Sequence, residues 1–278
     1  MAVLSGKASV AGILGWPVSH SRSPRLHGYW LDRYAIDGAY VPLPVKPADF
    51  AHAARGLLAA GFAGANVTIP HKLAAFAICD EVEPSASRAG AVNTLVFRNG
   101  RIIGSNTDGV GFVANLCAHG VDPSGPALIL GAGGGARAIA AALQDAGARV
   151  TIANRTQEKA EALAADLEGL AVIDWTARER ALADHALVVN ATSLGMAGQP
   201  ALALDLDRAP ATMAVADIVY VPLETHLLAR AKARGLRPVE GLGMLLHQAV
   251  PGFALWFGLT PVVDDDLRRF VAADLLSG

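Results

Sequence analysis

Short apolar runs of strand type alternate along the chain with Ala- and Leu-rich stretches of helical spacing. Runs at 8–14, 39–42, 64–69, 127–130, 149–153, 186–190 and 213–218 read as strands. The alternation predicts an α/β protein whose parallel sheets are covered by helices. The run at 8–14 is short and leads into Trp16-Pro17 without a small-residue cleavage pattern, so it reads as the first strand rather than a signal-peptide core.

One antiparallel signal stands apart. Two β-type runs between Val92 and Asp108 flank Asn99-Gly100, a favoured two-residue hairpin turn. With those two residues as the loop, Arg98 opposes Arg101, and counting outward sets Asn93 across from Asn106. Residues two apart share a face, so Asp108 is expected beside Asn106 on the side that Asn93 reaches. The register thus predicts three polar groups at one end of the hairpin. The glycines of Asp108-Gly109-Val110-Gly111 mark the boundary between two halves, followed by a helix over about 112–119 and a loop at 120–126.

The segment Asn66-Val67-Thr68-Ile69-Pro70-His71-Lys72 sits at the end of the third strand-type run. Proline has no N–H to continue a ladder, so the strand ends there and Lys72 stands just past it. A lysine after a turn is commonly a solvated charge. Here it also opens a helix, where the macrodipole disfavours a cation by about 0.3–1 kcal/mol. A lysine placed against local electrostatics at a strand terminus is a candidate acid/base. Asn66 and Thr68, two apart, are expected to share a face near it.

In the second half, the apolar run 127–130 meets Gly131-Ala132-Gly133-Gly134-Gly135-Ala136 and then an Ala-rich helix. Gly131, Gly133 and Ala136 occupy the positions of a dinucleotide fingerprint: tight turn, backbone approach to a pyrophosphate, and close helix–strand packing. Binding of the ribose 2′-hydroxyl would call for an acidic residue at the end of the next strand, yet the chain has Asn154-Arg155-Thr156. A guanidinium flanked by amide and hydroxyl donors suits a 2′-phosphate, so the expected cofactor is NADP(H) rather than NAD.

Near the N-terminus, Ser19-His20-Ser21-Arg22-Ser23-Pro24 precedes an amphipathic helix. Ser23 before Pro24 reads as an N-cap, which explains it structurally. Ser21 is not needed for that cap, and two hydroxyls at a helix N-terminus suit a carboxylate.

Composition narrows the function classes. A net charge of −2 over 278 residues, with no block of like charge, gives no footprint for nucleic acid or a membrane surface. A small-molecule partner is expected. The two cysteines, Cys79 and Cys117, have no metal-ligand spacing and fit a reducing cytoplasm, so no metal is expected.

Taken together, the chain resembles the shikimate dehydrogenase family over nearly its whole length. The residues that carry the resemblance are Ser21-Arg-Ser-Pro24, Asn66-Val-Thr-Ile-Pro-His-Lys72, Ala89-Gly-Ala-Val-Asn-Thr94 and Asn106-Thr-Asp-Gly-Val-Gly111 in the first half. In the second they are Gly131-Ala-Gly-Gly134, Asn154-Arg-Thr156, Asn190-Ala-Thr-Ser193 and Gly241-Leu-Gly-Met244. Gly28, Ser105 and Gly135 depart from the family's commonest residues without removing any assigned to chemistry.

The resemblance implies NADPH-dependent reduction of 3-dehydroshikimate to shikimate, with Lys72 and Asp108 as the catalytic pair. It assigns the substrate carboxylate to Ser21 and Ser23, and the ring hydroxyls and carbonyl to Asn66, Thr68, Asn93 and Gln248, with Asp108 also contacting a hydroxyl. Tyr220 joins the substrate contacts near the nicotinamide. The turn Gly131 to Gly135, including Ala132, with Asn154, Arg155 and Thr156, is assigned to the phosphates and adenosine. Thr192, Ile218 and Gly241 line the nicotinamide side.

The implied architecture is an N-terminal α/β substrate domain, residues 1–108 and 241–278, plus a doubly wound Rossmann-type domain, residues 109–240. The active site is expected in the cleft between them. A homodimer is among the expectations. Two alternatives stay open at this point: a quinate/shikimate dehydrogenase with relaxed substrate or cofactor use, and a catalytically silent ligand-sensing relative.

Overall fold

The computed structural model describes residues 3–273 and 275. The chain divides into two compact units, one of residues 1–107 and 248–278, the other of residues 108–247.

The first unit opens with β1 (Ser9–Gly15), α1 (Ser23–Arg33), β2 (Gly38–Pro44), α2 (Phe50–Ala59) and β3 (Gly64–Val67). It continues with α3 (Lys72–Ile78), β4 (Glu81–Val82), α4 (Pro84–Ala89), β5 (Thr94–Arg98) and β6 (Arg101–Ser105). Its sheet has the order β2-β1-β3-β5-β6-β4. β1 is parallel to β2 and β3, whereas β5 runs antiparallel to both β3 and β6. The β5–β6 hairpin has the expected register: Arg98 opposes Arg101, and Asn99 and Gly100 both adopt the positive φ that such a turn requires.

The outer end of that hairpin differs from expectation. Pairing stops at Thr94 opposite Ser105, and Asp108 already opens α5 (Asp108–Ala118). Strand alternation therefore ends before it can set Asn106 and Asp108 side by side. The Asn106 carboxamide instead donates to the Ala91 carbonyl at 3.0 Å. The Thr107 N–H donates to Asn93 Oδ1 at 2.9 Å.

The second unit continues with β7 (Ala127–Leu130), α6 (Gly134–Asp145), β8 (Val150–Ala153), α7 (Gln157–Asp166), β9 (Ala171–Ile173) and the short α8 (Arg178–Ala181). Then come β10 (Leu187–Asn190), β11 (Ala214–Asp217), α9 (His226–Ala233) and β12 (Arg237–Val239). All neighbours in the sheet β12-β11-β10-β7-β8-β9 are parallel. Numbered from β7, this is the doubly wound order, with its switch point between β7 and β10. Period-two alternation explains why the strands are apolar throughout. Ala127, Ile129, Leu187 and Val189 pack with Ile139 and Leu143 of α6, while Leu128, Leu130, Val188 and Val215 pack on the other side with Leu227 and Leu228 of α9.

Helix α10 (Gly241–Phe257) begins in the second unit and ends in the first, and α11 (Asp265–Ala272) belongs to the first. The architecture implied by the resemblance puts residues 241–247 with the substrate half, whereas this stretch groups with the second unit. Local contacts give the reason. A Cβ on Gly241 would lie 2.5 Å from the Ile218 carbonyl oxygen, and one on Gly243 would collide with Asn115. The helix start is thus packed tightly against the ends of β11 and α5.

Candidate active site

In the first unit, the candidate groups gather where β3 and β5 end. β3 stops at Val67, and the turn that contains Pro70 is closed by the His71 N–H donating to Thr68 O at 2.9 Å. His71 is buried, with its ring stacked on Phe50 and its Nε2 2.8 Å from the Val45 carbonyl. That anchor sets the start of α3, whose first residue is Lys72. The Lys72 carbonyl accepts from the Val92 N–H at 3.0 Å, which seats the lysine backbone against the residue preceding Asn93.

A connected row of neutral side chains runs behind this point. Tyr40 donates its hydroxyl to Asn66 Oδ1 at 2.7 Å. Asn66 Nδ2 donates in turn to the Asn93 carbonyl at 3.2 Å and to Thr94 Oγ1 at 3.3 Å. Asn93 Oδ1 accepts from the Thr107 N–H at 2.9 Å and from Thr94 Oγ1 at 2.9 Å. Thr107 Oγ1 reaches Gln248 Oε1 at 3.3 Å. Asn66, Asn93, Thr94 and Thr107 are all at most 5% exposed. Such a row, once satisfied, fixes the direction of each carboxamide, and amides and hydroxyls of fixed direction suit a polyhydroxylated ring.

Three members of the row, Tyr40, Thr94 and Thr107, are absent from the sequence-based site. Tyr40 was visible as a tyrosine inside an apolar strand, whose hydroxyl needs a buried partner. The threonines lie within Asn93-Thr94 and Asn106-Thr107-Asp108, next to residues that were assigned. Gln248, by contrast, looks like a helix-surface residue in the sequence and is only 9% exposed.

The serines are arranged differently from expectation. α1 begins at Ser23, and Arg22 occupies the N-cap position without a side-chain cap. Ser21 Oγ accepts from the Ser23 N–H at 3.3 Å, so the hydroxyl thought dispensable for the helix start is the one that serves it. Ser23 is buried and its hydroxyl hydrogen-bonds with Tyr40. Thr68, half-buried, is held by its N–H to Leu14 O at 2.9 Å.

In the second unit, Gly131 follows β7 with φ +117, a conformation that favours glycine. A Cβ there would also lie 2.9 Å from the Ala191 carbonyl oxygen. Gly133 is the N-cap of α6, and a Cβ on Gly133 or Gly134 would meet nothing within 4 Å. Backbone N–H groups at the start of a twelve-residue helix, beneath open space, fit a pyrophosphate. Ala132 is half-buried beside this turn. After β8, Asn154 Nδ2 donates to Thr156 O at 2.7 Å, which shapes the turn and leaves Arg155 and Thr156 exposed. That arrangement fits an anionic 2′-phosphate.

Of the remaining positions in this unit, Gly135, Ile218 and Gly241 lie together. A Cβ on Gly135 would lie 3.3 Å from Ile218 Cδ1, and Gly241 packs against the Ile218 carbonyl. Thr192 follows β10 and bonds Asn190 Oδ1 through both its N–H and its hydroxyl. Tyr220 is half-buried in the segment after β11. Asp108, the first residue of α5, is 9% exposed. Among the described residues, no group of three or more His, Cys, Asp or Glu is placed to hold a metal ion.

Comparison with known proteins covers the same segments. Residues 13–95 match the shikimate dehydrogenase substrate binding domain, residues 123–200 the shikimate / quinate 5-dehydrogenase family, and residues 241–265 the shikimate 5′-dehydrogenase C-terminal domain. The shikimate dehydrogenase (NADP(+)) of Acidiphilium cryptum (strain JF-5) is 70% identical over 275 residues, spanning 99% of each chain. The crystal structure of shikimate 5-dehydrogenase from Thermus thermophilus in complex with NADP(H) and shikimate is 39% identical. It superposes with a TM-score of 0.87 and covers 96% of this chain and 99% of that one. Quinate dehydrogenase from Corynebacterium glutamicum in complex with NAD is 31% identical, with a TM-score of 0.88 over 97% of this chain and 99% of that one.

Proposed function

Because the chain belongs to the shikimate dehydrogenase family, we propose that it reduces 3-dehydroshikimate reversibly to shikimate, with NADPH as cofactor and Lys72 and Asp108 as its catalytic pair. The observation that carries the residue assignment is the hydrogen-bonded row from Asn66 to Gln248, lying against the start of α3, where Lys72 stands.

NADPH, when bound, supplies the hydride. Lys72, as an ammonium, stabilises the negative charge growing on the substrate carbonyl oxygen and delivers a proton to it. Asp108 is the second member of the pair and contacts a ring hydroxyl. Ser21 and Ser23 take the substrate carboxylate. Asn66, Thr68, Asn93 and Gln248 take the ring hydroxyls and carbonyl, and Tyr220 meets the substrate near the nicotinamide.

The first unit is the substrate half in this reading, and the second is the NADP half. The turn from Gly131 to Gly135 holds the pyrophosphate, and Asn154, Arg155 and Thr156 hold the adenosine 2′-phosphate. Thr192, Ile218 and Gly241 lie against the nicotinamide. The reading includes a homodimer and a cytoplasmic location. Cys79 and Cys117 are both unpaired, which suits a reducing compartment, and among the described residues no helix is long and apolar enough to cross a membrane.

The test is an absorbance assay of the reduced nicotinamide that crosses shikimate and quinate with NADP and NAD. Shikimate with NADP should give by far the highest kcat/KM. A preference for quinate with NAD would replace this reading with the relaxed-specificity one, and activity in none of the four combinations would overturn both.

A further inference from the structure

The segments that follow β10 and β11 are joined by one buried carboxylate. Asp217, the last residue of β11, is 2% exposed. Its Oδ1 accepts from Asn190 Nδ2 at 3.0 Å and from the Val219 N–H at 3.0 Å, and its Oδ2 accepts from the Thr225 hydroxyl at 2.7 Å. Asn190, the last residue of β10 and fully buried, passes the restraint on. Its Oδ1 accepts from the Thr192 N–H at 3.1 Å and from the Thr192 hydroxyl at 2.7 Å, while its Nδ2 also donates to Leu194 O at 2.9 Å. Two backbone bonds run alongside, from Ile218 N–H to Asn190 O and from Ala197 N–H to Val221 O.

A carboxylate is an expensive group to bury, and its three donors offset part of that cost only while their geometry holds. The geometry they fix is local. Through Asn190 it sets Thr192, and through Val219 it sets the segment from Ile218 to Tyr220. The adenosine-phosphate turn at Asn154 to Thr156 follows β8, beyond β7 in the sheet, and takes no part in these bonds.

We propose that Asp217 is a positioning residue for the nicotinamide half of the cofactor site. It holds Thr192 and Ile218 where the nicotinamide is bound, without itself touching the cofactor. This rests on the NADP reading above.

The test compares two ligands on purified Asp217→Ala and Asp217→Asn proteins: NADP, and 2′,5′-ADP, which carries the adenosine 2′-phosphate and lacks nicotinamide. Asp217→Ala should raise the Kd for NADP about tenfold, as expected for lost charge-assisted hydrogen bonds, and leave that for 2′,5′-ADP within about twofold. Asp217→Asn, which keeps the acceptor for Asn190 and Val219, should lose about threefold, again on NADP alone. If the alanine variant fails to fold, the asparagine variant decides by the same contrast. Equal losses on both ligands, or none on either, overturn the proposal while leaving the cofactor reading intact. Wild-type protein that binds neither ligand overturns both.

Discussion

At the ends of β3 and β5 in the first unit, candidate residues are held by one another: Tyr40, Asn66, Thr94, Asn93, Thr107 and Gln248 form a chain of side-chain hydrogen bonds. At the ends of β7 and β8 in the second, they are held by backbone: a glycine turn at Gly131 and a helix N-terminus at Gly133. In the proposed reading, the difference follows from what each must recognise. Neutral hydroxyls on a ring have to be distinguished by direction, which only oriented side chains supply. Phosphates carry charge, and N–H groups at a helix start answer it whatever the neighbouring side chains are. Single side-chain changes should therefore damage the first unit's function far more than the second's, except where the second also relies on a side chain.

Lys72→Ala is the largest expected effect. Loss of a general acid/base lowers turnover by about 10²–10⁴ with a smaller change in KM. Near-normal turnover in stopped-flow or steady-state assays would remove Lys72 from the chemistry and with it the first half of the comparison. Arg155→Asp probes the exception in the second unit, an exposed side chain that meets phosphate directly in the proposed reading. A charge-assisted hydrogen bond is worth about 1.5–3 kcal/mol, so the ratio of NADP to NAD efficiency should fall about 10- to 150-fold. An unchanged ratio would mean that backbone alone selects the cofactor.

Tyr40→Phe sharpens the comparison at the far end of the row. The phenyl ring keeps its stacking on His27, at 4.0 Å between centroids and 6° between planes, while Asn66 Oδ1 loses its donor. A buried acceptor left unpaired costs about 1–3 kcal/mol. The KM for shikimate should rise roughly tenfold, with the KM for NADP unchanged. Equal changes in both would show that the tyrosine only stabilises the unit.

The sequence made the parallel strands legible because helices cover both faces of the second sheet and force continuous apolar runs. It did not reveal β4, β9 and β12, which hold two or three residues each, lie at sheet edges, and include Glu81, Ala171 and Arg237 exposed to solvent. Edge strands bury less and so lack the pattern. The same limit governed the site. Lys72 and the glycine turn were visible because proline and glycine dictate backbone locally. The links from Asn66 to Asn93 and Thr94 span 27 and 28 residues and exist only because β5 pairs antiparallel with β3, a choice that no local signal encodes. Asp108 is misplaced by strand alternation for a related reason: period-two counting runs past Ser105, where the ladder ends, into a residue that opens α5.

Two buried titratable groups, His27 in the first unit and Asp217 in the second, have opposite consequences for pH. His27 lies in a box of Tyr40, Trp30, Phe253 and Trp256, and neither ring nitrogen has a hydrogen-bond partner. Burial lowers its pKa from 6.5 to about 3. Asp217 is shifted the other way, its pKa raised by burial against the hydrogen bonds from Val219, Thr225 and Asn190. The unfolded chain protonates His27 as pH falls through 6.5 while the folded one does not until about 3. The stability tied to the neutral ring is therefore complete above pH 6.5 and declines by about 1.4 kcal/mol per unit below it. Asp217 behaves inversely: its contribution is complete below the unfolded carboxyl pKa and is lost as pH rises through its raised folded value. Denaturant unfolding at about pH 7.5 and about pH 5.5 should show wild-type protein losing roughly 1.4 kcal/mol more than His27→Leu on acidification. Parallel losses in the two proteins would mean that the unfolded and folded chains protonate His27 alike, and the aromatic box would then have to admit water.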